Sequence, residues 1–383
     1  MPIKKVYQAT VEYLQILDEE GRLDEKLAKD GDGKPILSDD EVVHLYDFLI
    51  TCRQLDEIAF KLQRSGRMGT YPQNKGQEAA AIGSGYAAKK GVDFLVPCYR
   101  ENAALFLHGL PMHYVLLHWM GDERGNAMPR PHHATPIAVP IGTQMLHATG
   151  LAWAAKYRGE KRIAATFFGD GATSEGDFHE AMNFAANLDI PVVFCCQNNG
   201  WAISVPGKIQ CSAPTVAQRA VAYGMDTIQC DGNDLFAVVH CFRKAVHQAR
   251  TTGRPSFIEA VTYRLGDHTT ADDARRYRDQ AEVDAWRKRD PIIRLRTFMT
   301  ARKLWDDAKE QALQERVERE VAAAVERAET IAAPARTEFF DSMYAELPAD
   351  LVLQRDTMQT HGIGQDPSQI EGAVIELPAK QGH

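Results

Sequence analysis

Two apolar runs flanking a helix-patterned interval organise the middle of the chain. The first, Ile163 to Phe168, is short, carries β-branched and aromatic residues, and stops at Gly169, as a buried parallel strand does. Phe178, Ala181, Met182, Phe184, Ala185 and Leu188 follow at the three-to-four spacing of an amphipathic helix. Ile190 to Cys196 is apolar again, with Pro191 at its start, where a strand tolerates proline. The pattern predicts one βαβ unit. Parallel strands joined by a crossover helix end on the same sheet edge, so Asp170 and Asn199 are expected side by side at the carboxyl edge, where open α/β sheets bind ligands.

The same alternation extends outward. Strand-like runs from Asp93 to Pro97 through Glu259 to Thr262 alternate with helix-like ones, which predicts an α/β fold with a doubly wound parallel sheet. Residues 1–38 read as an N-terminal arm with one apolar patch, Val11 to Leu17. Ser38-Asp39-Asp40-Glu41 has the form of a capping box opening a long helix. The stretch after Gly142-Thr143-Gln144 is helix-patterned, and its Ala148, Gly150, Ala152, Ala154 and Ala155 suit close packing. Residues 39–290 form the expected central domain. After Asp290-Pro291 come charged helices, a C-terminal flank over 291–358, and from about Gln359 a loose tail.

Composition narrows the function. The 383 residues suffice for a large core. A net charge of −8 and a pI near 5.9 argue against nucleic acid as the main partner. The seven cysteines include no Cys-x-x-Cys pair, which fits a reducing compartment, and Cys195-Cys196 read as small apolar strand residues. Neither a signal-peptide core nor a membrane-length apolar run is seen, so a cytoplasmic location is expected.

The chemistry gathers at the first strand end. Gly169-Asp170-Gly171 and Asn198-Asn199 offer oxygen to a hard cation, and Mg²⁺ takes few oxygens from protein, leaving the rest to phosphates and water. Gly171 and the amides after it suit a diphosphate. The chain supplies its own control in Gly31-Asp32-Gly33, which has no apolar run before it and reads as a surface turn. The region 169–176 is not a dinucleotide fingerprint, because its third glycine is misplaced.

Gly-Asp-Gly followed 29 positions after its Asp by the second Asn of a pair resembles the motif of thiamin diphosphate enzymes. Further stretches extend the likeness: Gly169 to Glu180, Asn198 to Ser204, Tyr99-Arg100, Gly76-Gln77-Glu78-Ala79 and Arg264 to His268. Over roughly residues 35 to 350 the chain resembles the alpha subunit of the decarboxylating component of a 2-oxoacid dehydrogenase complex. The resemblance implies the thiamin diphosphate-binding fold and two cofactors, thiamin diphosphate and Mg²⁺. It implies Asp170, Asn199 and the backbone carbonyl of Trp201 as metal ligands, and contact of Gly171 and Ala172 with the diphosphate. Arg100 would hold the diphosphate, Tyr99 would contact the cofactor, and the segment around Ile141 would meet the aminopyrimidine. His268 would bind cofactor and position a proton as the catalytic residue. Thr143-Gln144 resembles a potassium-binding turn of branched-chain relatives. The polar loop Thr269 to Arg278 is expected to order on cofactor binding, and it has Thr270 near where eukaryotic relatives carry a phosphorylated serine.

The resemblance further implies a separate beta subunit supplying the activating glutamate in an α₂β₂ heterotetramer, and transfer of the acyl group to the lipoyl domain of a dihydrolipoamide acyltransferase core. Overall similarity, including the arm and Gly66 to Tyr71, leans to pyruvate. His268 to Asp273 and Asn199 to Ser204 lean to branched-chain 2-oxoacids, and acetoin is a third alternative. A non-catalytic α/β binding protein is the rival of a different class. No nucleic-acid or membrane partner is expected.

Overall fold

Six strands pair side by side in one parallel sheet: β1 (Tyr13–Leu14), β2 (Phe94–Val96), β3 (Ala164–Gly169), β4 (Val192–Asn198), β7 (Asp226–Asp231) and β8 (Ser256–Val261). Their order is β1-β7-β8-β4-β3-β2, and a small antiparallel hairpin, β5 (Trp201–Ala202) with β6 (Val205–Pro206), follows β4. The structure, a computed structural model, describes residues 3–129, 132–335, 337–341 and 343–361. Its helices are α1 (Asp39–Arg64), α2 (Glu78–Ala87), α3 (Asn102–Leu107), α4 (Met112–Trp119), α5 (Thr143–Tyr157), α6 (Gly176–Asn187), α7 (Gly207–Gln210), α8 (Gln218–Val221), α9 (Leu235–Thr252), α10 (Gln280–Arg287), α11 (Pro291–Ala301) and α12 (Asp307–Glu329). These elements belong to a unit ending at Thr330; a second unit begins at Ile331 and contains α13 (Glu338–Asp341) and α14 (Ala349–His361). The expected loose tail lies, from residue 362 on, outside the described residues.

The predicted βαβ unit is β3-α6-β4. Ala164 and Phe168 of β3 and Val192, Phe194 and Cys196 of β4 pack with Met145, Ala148 and Ala152 of α5 and with Phe178, Ala181, Met182 and Ala185 of α6. Residues of the alternate register, Phe167, Cys195 and Ile258, are equally buried. Both faces of the sheet are therefore covered, which is why these strands read as continuous apolar runs rather than alternating ones. All seven cysteines are free and all but Cys211 are buried.

Ser38 caps α1 as expected. Its hydroxyl accepts from Glu41 N–H at 3.3 Å while the Glu41 carboxylate accepts from Ser38 N–H at 2.8 Å. The N-terminal arm, in contrast, extends the sheet. Tyr13 and Leu14 pair in parallel with Gln229 and Cys230, and the amides of Ile16 and Leu17 donate to Asp234 Oδ2 at 2.6 and 2.8 Å. Asp234 Oδ1 accepts from Phe236 and Ala237 at the start of α9, so one buried carboxylate pins the arm and caps a helix. Two residues cannot advertise a strand by alternation, which explains why the pattern of the chain did not reveal β1.

Segment 73–77 is clamped onto the exit of β8. Gly76 O accepts from Thr262 Oγ1 at 3.0 Å, Gly76 N–H donates to Glu78 Oε2 at 2.8 Å, and Lys75 O accepts from Leu265 N–H at 3.0 Å. At Gly76 φ is +94°, and a Cβ would meet Tyr263 O at 2.5 Å. Glycine is required here for both conformation and space. Gly76→Ala is expected to destabilise the fold by about 2 kcal/mol or more, from the left-handed backbone and the displaced strand exit together. Urea unfolding of the variant beside wild type measures this.

Candidate functional site

The carboxyl ends of β2, β3, β4 and β8 run into Cys98 to Glu101, Asp170 to Thr173, Asn199 to Ile203 and Thr262 to His268, and these segments converge. A cleft is lined by Tyr99, Arg100, Ile141, Gly171, Ala172, Asn199, Trp201 and His268. Of the residues expected to hold the cofactor and Mg²⁺, Asp170 alone is absent from that lining. It sits just behind, 3% exposed, on the wall of an adjoining cleft with Asn198, Gly200 and Gly207, and Trp201 borders both. The pairing of β3 with β4 sets Gly169 beside Gln197, and the next residues meet as expected: Asn199 N–H donates to Asp170 Oδ1 at 3.2 Å.

Asp170 Oδ2 is buried without a hydrogen-bond partner. Burial pushes its carboxyl up from the ordinary 3.8 to about 6. A buried, half-satisfied carboxylate is costly unless a cation or donor joins it, so this oxygen fits a metal ligand. Asn199 Oδ1 accepts from Trp201 N–H at 3.2 Å, which leaves its second lone pair free. Gly171 is glycine for packing as well: a Cβ there would stand 2.8 Å from Ala202 Cβ, so the turn after β3 can lie flat against the hairpin.

His268 is held by two arginines. Arg100 Nη2 lies 3.2 Å and Arg264 Nη1 3.1 Å from its Nδ1, and Arg100 Nη2 also donates to His268 O at 2.6 Å. Both guanidiniums are donors only, so Nδ1 must accept and the ring proton must reside on Nε2. Burial and then the two cations press the His268 pKa down to about 3. Burial, with Arg100 alongside, lowers Arg264 in turn to about 10. The guanidinium of Arg100 is anchored further by Gln73 O and lies over the Tyr99 ring, 5.2 Å from its centroid.

The residues the sequence did not single out are those that hold the others. Arg264 is 1% exposed and reaches Ile203 O at 2.8 Å and Tyr277 OH at 2.9 Å besides His268. Glu101 lines the cleft with its carboxylate on the amides of Cys98 and Arg100 and on Gln197 Nε2; burial raises it to about 7. Gln77 also lines it. Each also joins a segment far along the chain, Arg264 to Ile203, Glu101 to Gln197 and Gln77 to Asn199, which no local pattern encodes. Gln144, in the turn likened to a potassium site, is buried; Nε2 donates to Phe167 O at 3.0 Å, and Oε1 has no partner.

The loop after His268 carries more than charge. Asp272 Oδ2 accepts from His268 N–H at 2.8 Å and from Tyr277 OH, and the Tyr277 ring packs on Trp201 with centroids 5.4 Å apart. Thr270 is 1% exposed, its Oγ1 accepting from Tyr71 N–H at 3.0 Å, so its hydroxyl is not presented at the surface. The depressed His268 pKa carries a sign. Between the ordinary 6.5 and about 3 an unfolded chain takes up a proton that the folded one refuses, so the neutral ring's contribution to stability is lost as pH falls through that window. Labelled-histidine NMR is expected to show a ring that stays neutral from pH 8 to about 4, and Arg264→Met is expected to raise its pKa.

The comparisons agree with this geometry. Residues 46–336 match the family model described as Dehydrogenase E1 component. The chain is 43% identical over 318 residues to the 3-methyl-2-oxobutanoate dehydrogenase subunit alpha of Mycobacterium tuberculosis H37Rv, covering 82% of this chain and 86% of that one. It is 38% identical over 348 residues to the Pyruvate dehydrogenase E1 component subunit alpha of Staphylococcus aureus N315, covering 91% and 92%. With a doubly wound parallel sheet and the cleft at its carboxyl edge, the chain belongs to the Dehydrogenase E1 component family, among the alpha subunits of 2-oxoacid dehydrogenases.

Proposed function

We propose that the chain is the alpha subunit of a pyruvate dehydrogenase, with thiamin diphosphate and Mg²⁺ bound at the carboxyl edge of the sheet. The observation that carries this reading is the orphaned, buried Asp170 Oδ2 beside Asn199 and a cationic cleft floor. Asp170, the Asn199 amide oxygen and the Trp201 carbonyl would hold the metal. When bound, thiamin diphosphate supplies the electron sink that decarboxylation of a 2-oxoacid requires. Arg100 and Arg264 provide a positive field for a diphosphate, while Gly171 and Ala172 bring backbone to it. Tyr99 and Ile141 form apolar walls. His268, locked by Arg100 and Arg264 with its proton on Nε2, is a neutral donor whose orientation is fixed before substrate arrives.

The sheet described above is a single module, so the second half of the site, including the activating glutamate, is assigned to a beta subunit in an α₂β₂ assembly. The acyl group then passes to the lipoyl domain of an acyltransferase, and the site of action is the cytoplasm. Pyruvate is favoured by the longer match, 348 residues against 318. A branched-chain 2-oxoacid is the second reading, favoured by the higher identity of the other relative and by His268-Thr-Thr-Ala-Asp-Asp273. A methylene or two changes rate only modestly, and much of the substrate pocket would belong to the beta subunit.

Decarboxylation by the αβ assembly with pyruvate, 3-methyl-2-oxobutanoate and acetoin side by side is expected to be fastest with pyruvate; a clear preference for the branched substrate moves the assignment to the second reading. The alpha chain alone is expected to be inactive. Asp170→Ala is expected to lose more cofactor affinity than the roughly 10–100-fold that an outer-shell defect costs a metal site. Calorimetry checks it, and undiminished affinity removes the metal assignment. Because the Asp170 carboxyl must shed a proton whose pKa is near 6, Mg²⁺ affinity is expected to fall as pH drops below that value.

A further inference from the structure

Gln77 is fully buried at the N-terminal end of α2, held there by the glycine clamp at Gly76. Its Oε1 accepts from Asn199 Nδ2 at 3.0 Å, and its Nε2 is buried with no hydrogen-bond partner on the wall of the cleft shared by Arg100, Gly171 and His268. The orientation of both amides follows from a third group. Trp201 N–H donates to Asn199 Oδ1, so the Asn199 NH₂ must face Gln77, and Gln77 must answer with its oxygen. Turning either amide over sets donor against donor. What remains is a buried NH₂ with no acceptor, on a residue that lines the cleft, in a position where a missing acceptor costs the full desolvation of the group.

We propose that Gln77 is a cofactor-binding and positioning residue: its oxygen fixes the Asn199 carboxamide for the metal, and its NH₂ donates to an oxygen of the bound diphosphate. The role rests on the thiamin diphosphate and Mg²⁺ assignment above. It adds to that assignment a neutral donor from α2, an element otherwise outside the site. Asp170 and the Asn199 oxygen lack a donor for the phosphates, and the two arginines are committed in part to His268 and to backbone carbonyls, so a further donor suits the cleft.

Two substitutions separate the two halves of the role. Gln77→Glu keeps an acceptor for Asn199 Nδ2 and replaces the donor by a second acceptor of nearly the same shape. Gln77→Met removes both. Each variant is assembled with the beta subunit, checked for assembly by sedimentation, and titrated calorimetrically with thiamin diphosphate at saturating Mg²⁺, then with Mg²⁺ at fixed thiamin diphosphate. Gln77→Glu is expected to weaken thiamin diphosphate by about ten- to a hundredfold without raising the Mg²⁺ requirement. Gln77→Met is expected to weaken both, its Mg²⁺ affinity by the ~10–100-fold typical of a lost outer-shell partner. Both variants binding cofactor and metal within about twofold of wild type overturns the role, since a hydrogen bond to a charged group is worth more than that. Should Gln77→Met fail to assemble, the near-isosteric Gln77→Glu decides alone. If the wild-type assembly itself binds no thiamin diphosphate, the cofactor assignment fails, and this role with it.

Discussion

The parallel register of β3 on β4 is the constraint from which the rest of the site follows. Ala164 to Gly169 pair with Val192 to Gln197 without a bulge, and this places Asp170 within reach of the Asn199 amide across 29 residues of sequence. A slip of one residue would turn every side chain to the opposite face. It would also carry Phe168 and Phe194 out of the cluster they form with Met145, Phe178 and Met182. The apolar core therefore fixes the polar edge: packing of aromatic and aliphatic side chains, which has no chemistry of its own, decides where the one buried carboxylate of the proposed metal site stands.

Around that edge the electrostatics are arranged by burial rather than by ion pairing. Asp170 and Glu101 are pushed up and His268 and Arg264 are pushed down, and burial heads the causes in each case. The site thus holds two kinds of unfinished business. Asp170 Oδ2 lacks a cation or donor and Gln77 Nε2 lacks an acceptor, and the groups that would complete them, a divalent cation and a phosphoryl oxygen, are joined in one ligand. An orphaned acceptor in one cleft and an orphaned donor lining the next would suit the proposed ligand, because binding it would relieve both desolvation costs at once.

The scaffolding beyond the cleft is polar where it must join distant segments. Asp234 ties the N-terminal arm to α9, and Asp231 receives Arg289 and Arg294 from the stretch after α10. Asp56 beneath the cleft accepts from Tyr71 and from the Asn74 amide, next to the Gln73 carbonyl that anchors Arg100. These buried carboxylates bond to backbone amides and so specify one arrangement of loops that apolar packing alone would leave loose.

Much of this was readable from the chain. Apolar runs ending in glycine, helical spacing between them and the Ser38 capping box follow from period and propensity, which are local properties, and they located the βαβ unit, the parallel sheet and the edge where Asp170 and Asn199 meet. Tertiary structure decided what local pattern cannot encode. β1 is two residues long and exists because β7 offers an edge. Tyr277 stabilises a loop that looks merely charged, because Trp201 lies opposite. Arg264, Glu101 and Gln77 acquire their roles from partners as far away as the 122 residues between Gln77 and Asn199. A hydrogen bond has a direction and a reach of about 3 Å, and neither can be inferred from composition or spacing, so side-chain identity alone determined which chemistry was available, and the fold determined which atoms could perform it.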